Sequence, residues 1–182
     1  MPAFLSQISY AQPISKLKKQ FDKVLEQEDI HSGFCLVHSE LRGILEKRIG
    51  GHFAVGEAVT ARTPFHTASL GKTFTATTIA MLADEGKLDF KDPAADYLPA
   101  ETIQGLHVID GTDYGNQITI SHLLKHRSGL PDYFEDQPTS GENMMSLLFS
   151  QPEHYWEPGE LIEFTKQHFQ ARFEPGTDYH YT

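Results

Sequence analysis

The sequence has one cysteine, no apolar run of membrane-spanning length, fewer basic than acidic residues and no internal repeat. Each shortage removes a class of protein. Cys35 alone cannot close an internal disulfide, and its neighbours Phe34, Leu36 and Val37 point to a buried strand position, where it serves packing rather than chemistry. At the N-terminus polar residues interrupt Phe4, Leu5 and Ile8, and the basic cluster Lys16, Lys18 and Lys19 comes after them, the reverse of the order a secretory signal needs. With no candidate span either, the expectation is a cytoplasmic protein. Lys and Arg number 15 against 25 Asp and Glu, a formal charge of −10. The acids concentrate between Asp84 and Asp113, where only Lys87 and Lys91 oppose them. That balance repels phosphate backbones and argues against a nucleic-acid partner.

What is present suffices for a folded core: 182 residues, 39% of them hydrophobic, with 12 Phe and 7 Tyr. Ile14, Leu17, Phe21, Val24 and Leu25 recur at helical spacing among Lys, Gln and Asp, so Ser15 to Gln27 reads as an amphipathic surface helix. Gly33 to His38 and Gly43 to Ile49 are short β-forming runs suited to an antiparallel hairpin, and a third extended piece is expected between His52 and Thr60. Beyond them the pattern turns helical. Leu70, Phe74, Met81 and Leu82 form an apolar stripe closed by Gly86. Further helices are expected over Ser121 to Arg127, closed by Gly129, over Glu142 to Phe149, and over Pro158 to Gln170 with Pro158 in the first turn. A few strands followed by a run of helices indicate an α+β arrangement, with a small sheet whose edges are exposed.

Ser69-Leu70-Gly71-Lys72 is an S-x-x-K sequence, and roughly one such match arises by chance in a chain this long. Ser15-Lys16-Leu17-Lys18 is a second. Context separates the two. Ser15 opens a polar helix beside three lysines, whereas Ser69 follows Phe65-His66-Thr67-Ala68 and opens a largely apolar helix expected to be buried. A serine hydroxyl is a poor nucleophile until a nearby base takes its proton, and desolvation makes a lysine a better base. Positions i and i+3 of a helix share a face, so Lys72 can reach the Ser69 oxygen near a helix N-terminus that favours negative charge. The competing reading is that Ser69 caps the helix and Lys72 is a solvated first-turn residue.

Other motifs fail on inspection. Gly71-Lys72-Thr73 has the ending of a phosphate-binding P-loop, but His66 stands where its first glycine belongs. His122 and His126 are spaced i, i+4, yet no Glu follows His122 and no third zinc ligand is evident among His107, His154, His168 and His180, so a solvated or hydrogen-bonded pair is expected. No G-x-S-x-G occurs.

Around Ser69 several further blocks follow in order: Phe65 to Ala76, Leu82-Ala83-Asp84-Glu85-Gly86-Lys87-Leu88, Asp92-Pro93, Tyr97-Leu98-Pro99, Ile118-Thr119-Ile120 and Leu123-Leu124-Lys125-His126-Arg127-Ser128-Gly129-Leu130-Pro131. In this order and spacing the chain resembles the serine β-lactamase-like family of class C β-lactamases, penicillin-binding DD-peptidases, D-aminopeptidases and related esterases, over about Gly33 to Thr182. The resemblance implies an α+β, β-lactamase/transpeptidase-like fold, an antiparallel sheet flanked by helices plus a helical subdomain. It implies Ser69 as the acylated nucleophile and Lys72 beside it. The approach Phe173-Glu174-Pro175-Gly176-Thr177-Asp178-Tyr179-His180-Tyr181-Thr182 matches that to the family's Tyr-x-Asn motif, which implies Tyr181 as the third catalytic residue, with Tyr179 as its competitor. Leu123 to Pro131 is implied to be a structural helix end, with Arg127 in place of the more usual Thr.

The reading is therefore a serine hydrolase acting through an acyl-enzyme on an ester, amide or lactam, with a small-molecule or peptide-like substrate and no metal or organic cofactor. Residues 1–182 are expected to be the N-terminal part of a single domain, with a helix and the first strands over about 1–60 and a mostly helical region over about 61–182. The family's third motif lies outside the chain, which alone is expected to be catalytically poor and marginally stable. The alternative is a non-catalytic relative or fragment that keeps the fold for binding or regulation.

Overall fold

The computed structural model describes residues 11–53 and 56–182; Phe4, Leu5 and Ile8 of the N-terminal reading lie outside them. It divides into two units, Met1–Thr67 and Ala68–Thr182.

In the first unit, helix α1 (Ala11–Leu25) lies on a three-stranded antiparallel sheet of order β1-β2-β3, made of β1 (Ser32–Ser39), β2 (Ile44–Phe53) and β3 (Glu57–Ala58). The register runs from Ser32 opposite Gly51 to Ser39 opposite Ile44. A short turn of Glu40–Arg42 connects the strands, and Gly43 closes it at φ 60°. Strand alternation sorts the side chains. Gly33, Cys35 and Val37 are half-buried on the α1 side, whereas Phe34, Leu36 and His38 are exposed. Gly50 is required for the close approach of α1, because a Cβ there would lie 2.5 Å from Leu25 Cδ1. Lys18 pairs with Glu46 at 3.1 Å and Asp22 with Arg48 at 2.7 Å across the same contact. Such exposed pairs contribute at most about 1 kcal/mol each. Cys35, expected to be buried, is only half-buried, since one helix covers this small sheet incompletely.

The second unit begins with a 3-10 turn, Ala68–Leu70, that runs into α2 (Gly71–Asp84). It continues through α3 (Ala100–Ile103), a hairpin of β4 (Val108–Ile109) and β5 (Thr112–Asp113), then α4 (Ile120–Leu124), α5 (Met144–Ser150) and α6 (Pro158–His168). The hairpin turns on Asp110 at φ 49° and Gly111 at φ 80°, the Asp-Gly chemistry that a tight two-residue turn favours. α5 is capped by Asn143, whose Oδ1 accepts from Ser146 N–H at 2.8 Å. Pro158 sits in the first turn of α6, and a Glu157/Glu160 capping box closes its N-terminus.

Met144, Phe164 and Phe169 form the buried cluster, with Tyr133, Leu147, Leu148, Trp156 and Leu161 packed against it. Each fully buried side chain of this kind contributes about 1.5–3 kcal/mol. A second layer buries Ala94, Ile103, Ile118 and Ile120. It is tied by Ala94 N–H to Ile118 O at 2.8 Å and Ile120 N–H to Asp92 O at 3.1 Å.

Two expectations change. α2 was expected to be buried, but it has no buried residue, and Leu70, Phe74 and Met81 are exposed along its stripe. α4 stops at Leu124 instead of running to Arg127, because His126, not Gly129, takes the left-handed conformation that ends it.

Candidate active site

Ser69 lies in the 3-10 turn, one residue after Ala68, whose φ is 46°. A left-handed alanine costs about 1–2 kcal/mol, and backbone strain of this kind concentrates where a side chain must be presented in one direction. Ser69 and Lys72 are three residues apart on one face, and Lys72 Nζ donates to Ser69 Oγ at 3.4 Å. Both side chains are exposed, although the apolar stripe of the helix leads one to expect it buried. What stands beside Lys72 is an aromatic ring: its Nζ lies 4.8 Å from the centroid of Tyr181. A cation at that distance is attracted to the ring face.

Tyr181 reaches this position through a long-range pairing. Residues 126–129 run alongside 172–180: Arg172 N–H donates to Gly129 O at 2.8 Å, Gly176 N–H to Arg127 O at 2.8 Å and His180 N–H to His126 O at 2.9 Å. The Arg127 guanidinium also donates to Gly176 O. Thr182 adds a hydroxyl bond to Pro131 O at 2.9 Å. Beneath the pairing, His107 is fully buried and its Nε2 donates to Phe173 O at 3.0 Å. Gly129 packs so tightly there that a Cβ would lie 2.0 Å from Phe173 O.

The Tyr181 hydroxyl is held below the ordinary phenol pKa of 10.0, first by hydrogen bonding with Ser69, then by hydrogen bonding with Lys72. Desolvation opposes the shift, the Lys72 charge adds to it, and the Asp132 carboxylate works against it. Next to Tyr181, His180 Nε2 donates to Asp136 Oδ2 at 2.9 Å. The same carboxylate oxygen accepts from Asp132 N–H at 2.9 Å and from Arg172 Nη1 at 3.1 Å. Burial pushes the Asp136 carboxyl up, but the Asp132 N–H and then His180 and Arg172 outweigh it, and its pKa lies below 3.8.

The structure thus brings Ser69, Lys72 and Tyr181 together. Tyr179, the competing tyrosine, is exposed, and its ring meets His126 edge-on at 6.1 Å instead of Lys72. His122 and His126 do not share a helix face, because His126 lies past the end of α4. His122 Nδ1 accepts from Thr119 N–H at 3.3 Å as part of the α4 cap, and His126 Nδ1 accepts from Thr182 N–H at 3.3 Å. Among the described residues no group of three His, Cys, Asp or Glu side chains is arranged to hold a metal ion, and no helix is long and apolar enough to cross a membrane. Nothing in the local sequence marks the contact of His126 with Tyr181 or of Asp136 with His180, since both join segments far apart along the chain.

Comparison with known proteins agrees with this architecture. The Beta-lactamase family model matches residues 18–182. Penicillin-binding protein 4 of Amycolatopsis lactamdurans is 33% identical over 95 residues, 52% of this chain and 23% of that protein. A beta-lactamase of Pseudomonas fluorescens is 31% identical over 122 residues, 66% of this chain and 26% of that protein. Among solved structures, D-amino acid amidase from Ochrobactrum anthropi SV3 superposes with a TM-score of 0.58 at 22% identity, over 88% of this chain and 39% of that one. D-stereospecific amidohydrolase from a Streptomyces species gives 0.53 at 24% identity, over 75% and 37%. These structural likenesses speak to the fold, and the matches span only about a quarter of each of the two curated relatives named. With the mixed helix and antiparallel-sheet architecture and the family match over residues 18–182, the chain belongs to the beta-lactamase family.

Proposed function

We propose that the protein is a serine hydrolase that works through an acyl-enzyme. The carrying observation is the cluster itself: Lys72 Nζ is 3.4 Å from Ser69 Oγ and 4.8 Å from the Tyr181 ring centroid. Ser69 Oγ attacks the carbonyl carbon of an ester, amide or lactam and forms a C–O bond as its proton leaves. The lowered pKa of Tyr181 supports its phenolate as the group that takes this proton, with the Lys72 ammonium holding the anion in place. The same proton passes to the leaving group as the tetrahedral intermediate collapses, and water then hydrolyses the serine ester. The Ser69 backbone N–H is one donor for the carbonyl oxygen as it becomes negative. These steps balance without a metal or an organic cofactor.

The relatives named above make penicillins and amides of D-amino acids the first substrates to try, beside simple activated esters. The test is intact mass spectrometry of the full-length protein before and after such a compound is added. A stoichiometric adduct on the peptide carrying Ser69 is expected. Hydrolysis that continues undiminished in Ser69→Ala would overturn the assignment.

A further inference from the structure

Two helices of the second unit end on the same backbone turn. After α2, Gly86 N–H donates to Ala83 O at 3.0 Å and Lys87 N–H to Leu82 O at 2.9 Å, with Gly86 at φ 68°. After α4, His126 N–H donates to Leu123 O at 3.2 Å and Arg127 N–H to His122 O at 2.8 Å, with His126 at φ 55°. This paired-bond ending, a Schellman motif, requires one left-handed residue, and glycine adopts that conformation without steric strain. A residue with a Cβ does not. The turn therefore accounts for Gly86 but not for a histidine at 126.

The side chain of His126 accounts for it. Its ring packs on the Tyr181 ring with centroids 4.4 Å apart and planes tilted by 32°. Its Nδ1 accepts from the N–H of Thr182 at 3.3 Å, while its backbone carbonyl accepts from the N–H of His180 at 2.9 Å. One residue thus grips the chain on both sides of Tyr181 and covers the ring between.

We propose that His126 is a positioning residue for Tyr181: it sets the plane of the phenol and holds residues 180–182, so that the hydroxyl stays within reach of Ser69 and Lys72. The inference rests on the role given to Tyr181 above. It also explains why a strained residue occupies a position that glycine would fill more comfortably. His126 touches no reacting atom, so its effect is on the geometry of proton transfer and not on substrate binding.

The test compares His126→Gly, His126→Asn and Ser69→Ala in the full-length protein, with an activated ester as substrate. Glycine relieves the backbone and deletes the ring. A purely structural cap would leave its melting temperature unchanged or raised, and kcat unchanged with it. The expected result is a stable glycine variant whose kcat falls about 10- to 100-fold, with KM within about twofold of wild type. Asparagine tolerates the left-handed region and offers Oδ1 to Thr182 N–H, so it should recover part of the loss. If the glycine variant does not fold, the asparagine variant is read on the same scale, with a kcat below wild type expected. A folded variant with wild-type kcat, in a protein that Ser69→Ala inactivates, overturns the role of His126 alone. Full activity of Ser69→Ala overturns the acyl-enzyme reading, and the role of His126 with it.

Discussion

Lys72 Nζ stands over the Tyr181 ring, 4.8 Å from its centroid, so a cation and a phenol far apart in sequence share one small volume beside Ser69. Hydrogen bonding with Ser69, then with Lys72, lowers the pKa of the phenol. An acid with a lowered pKa is deprotonated at a lower pH, so the alkaline rise in kcat/KM should come below the ordinary phenol value of 10.0. Tyr181→Phe should abolish that rise and reduce kcat by about 10²–10⁴, the usual worth of a positioned base. A pH–rate profile of both proteins checks this.

Gly129 carries a specific packing requirement. Its φ is 80°, and a Cβ there would lie 2.0 Å from Phe173 O and 2.6 Å from His107 Nε2. Gly129→Ala should cost about 3 kcal/mol or more, because the strained φ is joined by displacement of the pairing that carries Tyr181. Gly111→Ala is the control. It has the same φ of 80° but nothing within 4 Å of the added Cβ, so it should cost only the backbone part, about 1–2 kcal/mol. Denaturant titration of the two variants separates the contributions.

Asp136 makes the second unit acid-sensitive. Its folded pKa lies below the ordinary 3.8. The stabilisation is complete above the unfolded value and is lost as pH falls through the folded one. Melting temperature should therefore drop as pH falls below about 4. Asp136→Asn should melt lower at neutral pH and show a flatter acid dependence. Thermal melts across that range decide it, and equal slopes in the two proteins would refute it.

Within the first unit, the sheet face away from α1 carries apolar side chains. Phe34, Leu36 and Leu45 are 56%, 60% and 61% exposed. Phe34 and Leu36, with Ile49, Phe53, Val59, Pro64 and Phe65, line a groove of about 600 Å³. Among the described residues β1 pairs only with β2, so its outer edge is open as well. Apolar faces and open edges of this kind drive association. The 182-residue chain should therefore associate with rising concentration, and the double substitution Leu36→Lys, Leu45→Lys should weaken this in light scattering without unfolding α1 or the hairpin.

Much of the local structure is legible in the chain. The β-forming runs Gly33 to His38 and Gly43 to Ile49, separated by Ser39 to Arg42, specify the β1–β2 hairpin, and Gly86 marks the end of α2. The Asp110-Gly111 signal for the β4–β5 turn is equally local, although it stands within an acidic stretch that draws attention to charge. The α4 terminus is not legible in this way. Gly129 is the natural helix stop by residue type, but the backbone turns at His126, and Gly129 serves the contact with Phe173 and His107.

The neighbourhood of Ser69 and Lys72 was determined by sequence alone, because a separation of three residues on a helical turn brings two side chains together whatever surrounds them. The offset after Pro175-Gly176 points to Tyr181 over Tyr179 by resemblance, but the placement of the Tyr181 ring beside Lys72 comes from the tertiary structure. It depends on the pairing of residues 126–129 with 172–180, on the buried His107 bond to Phe173 O, and on the ring of His126. Those interactions join segments separated by many residues, and their hydrogen bonds are specified by where the backbones meet, not by any periodicity along the chain.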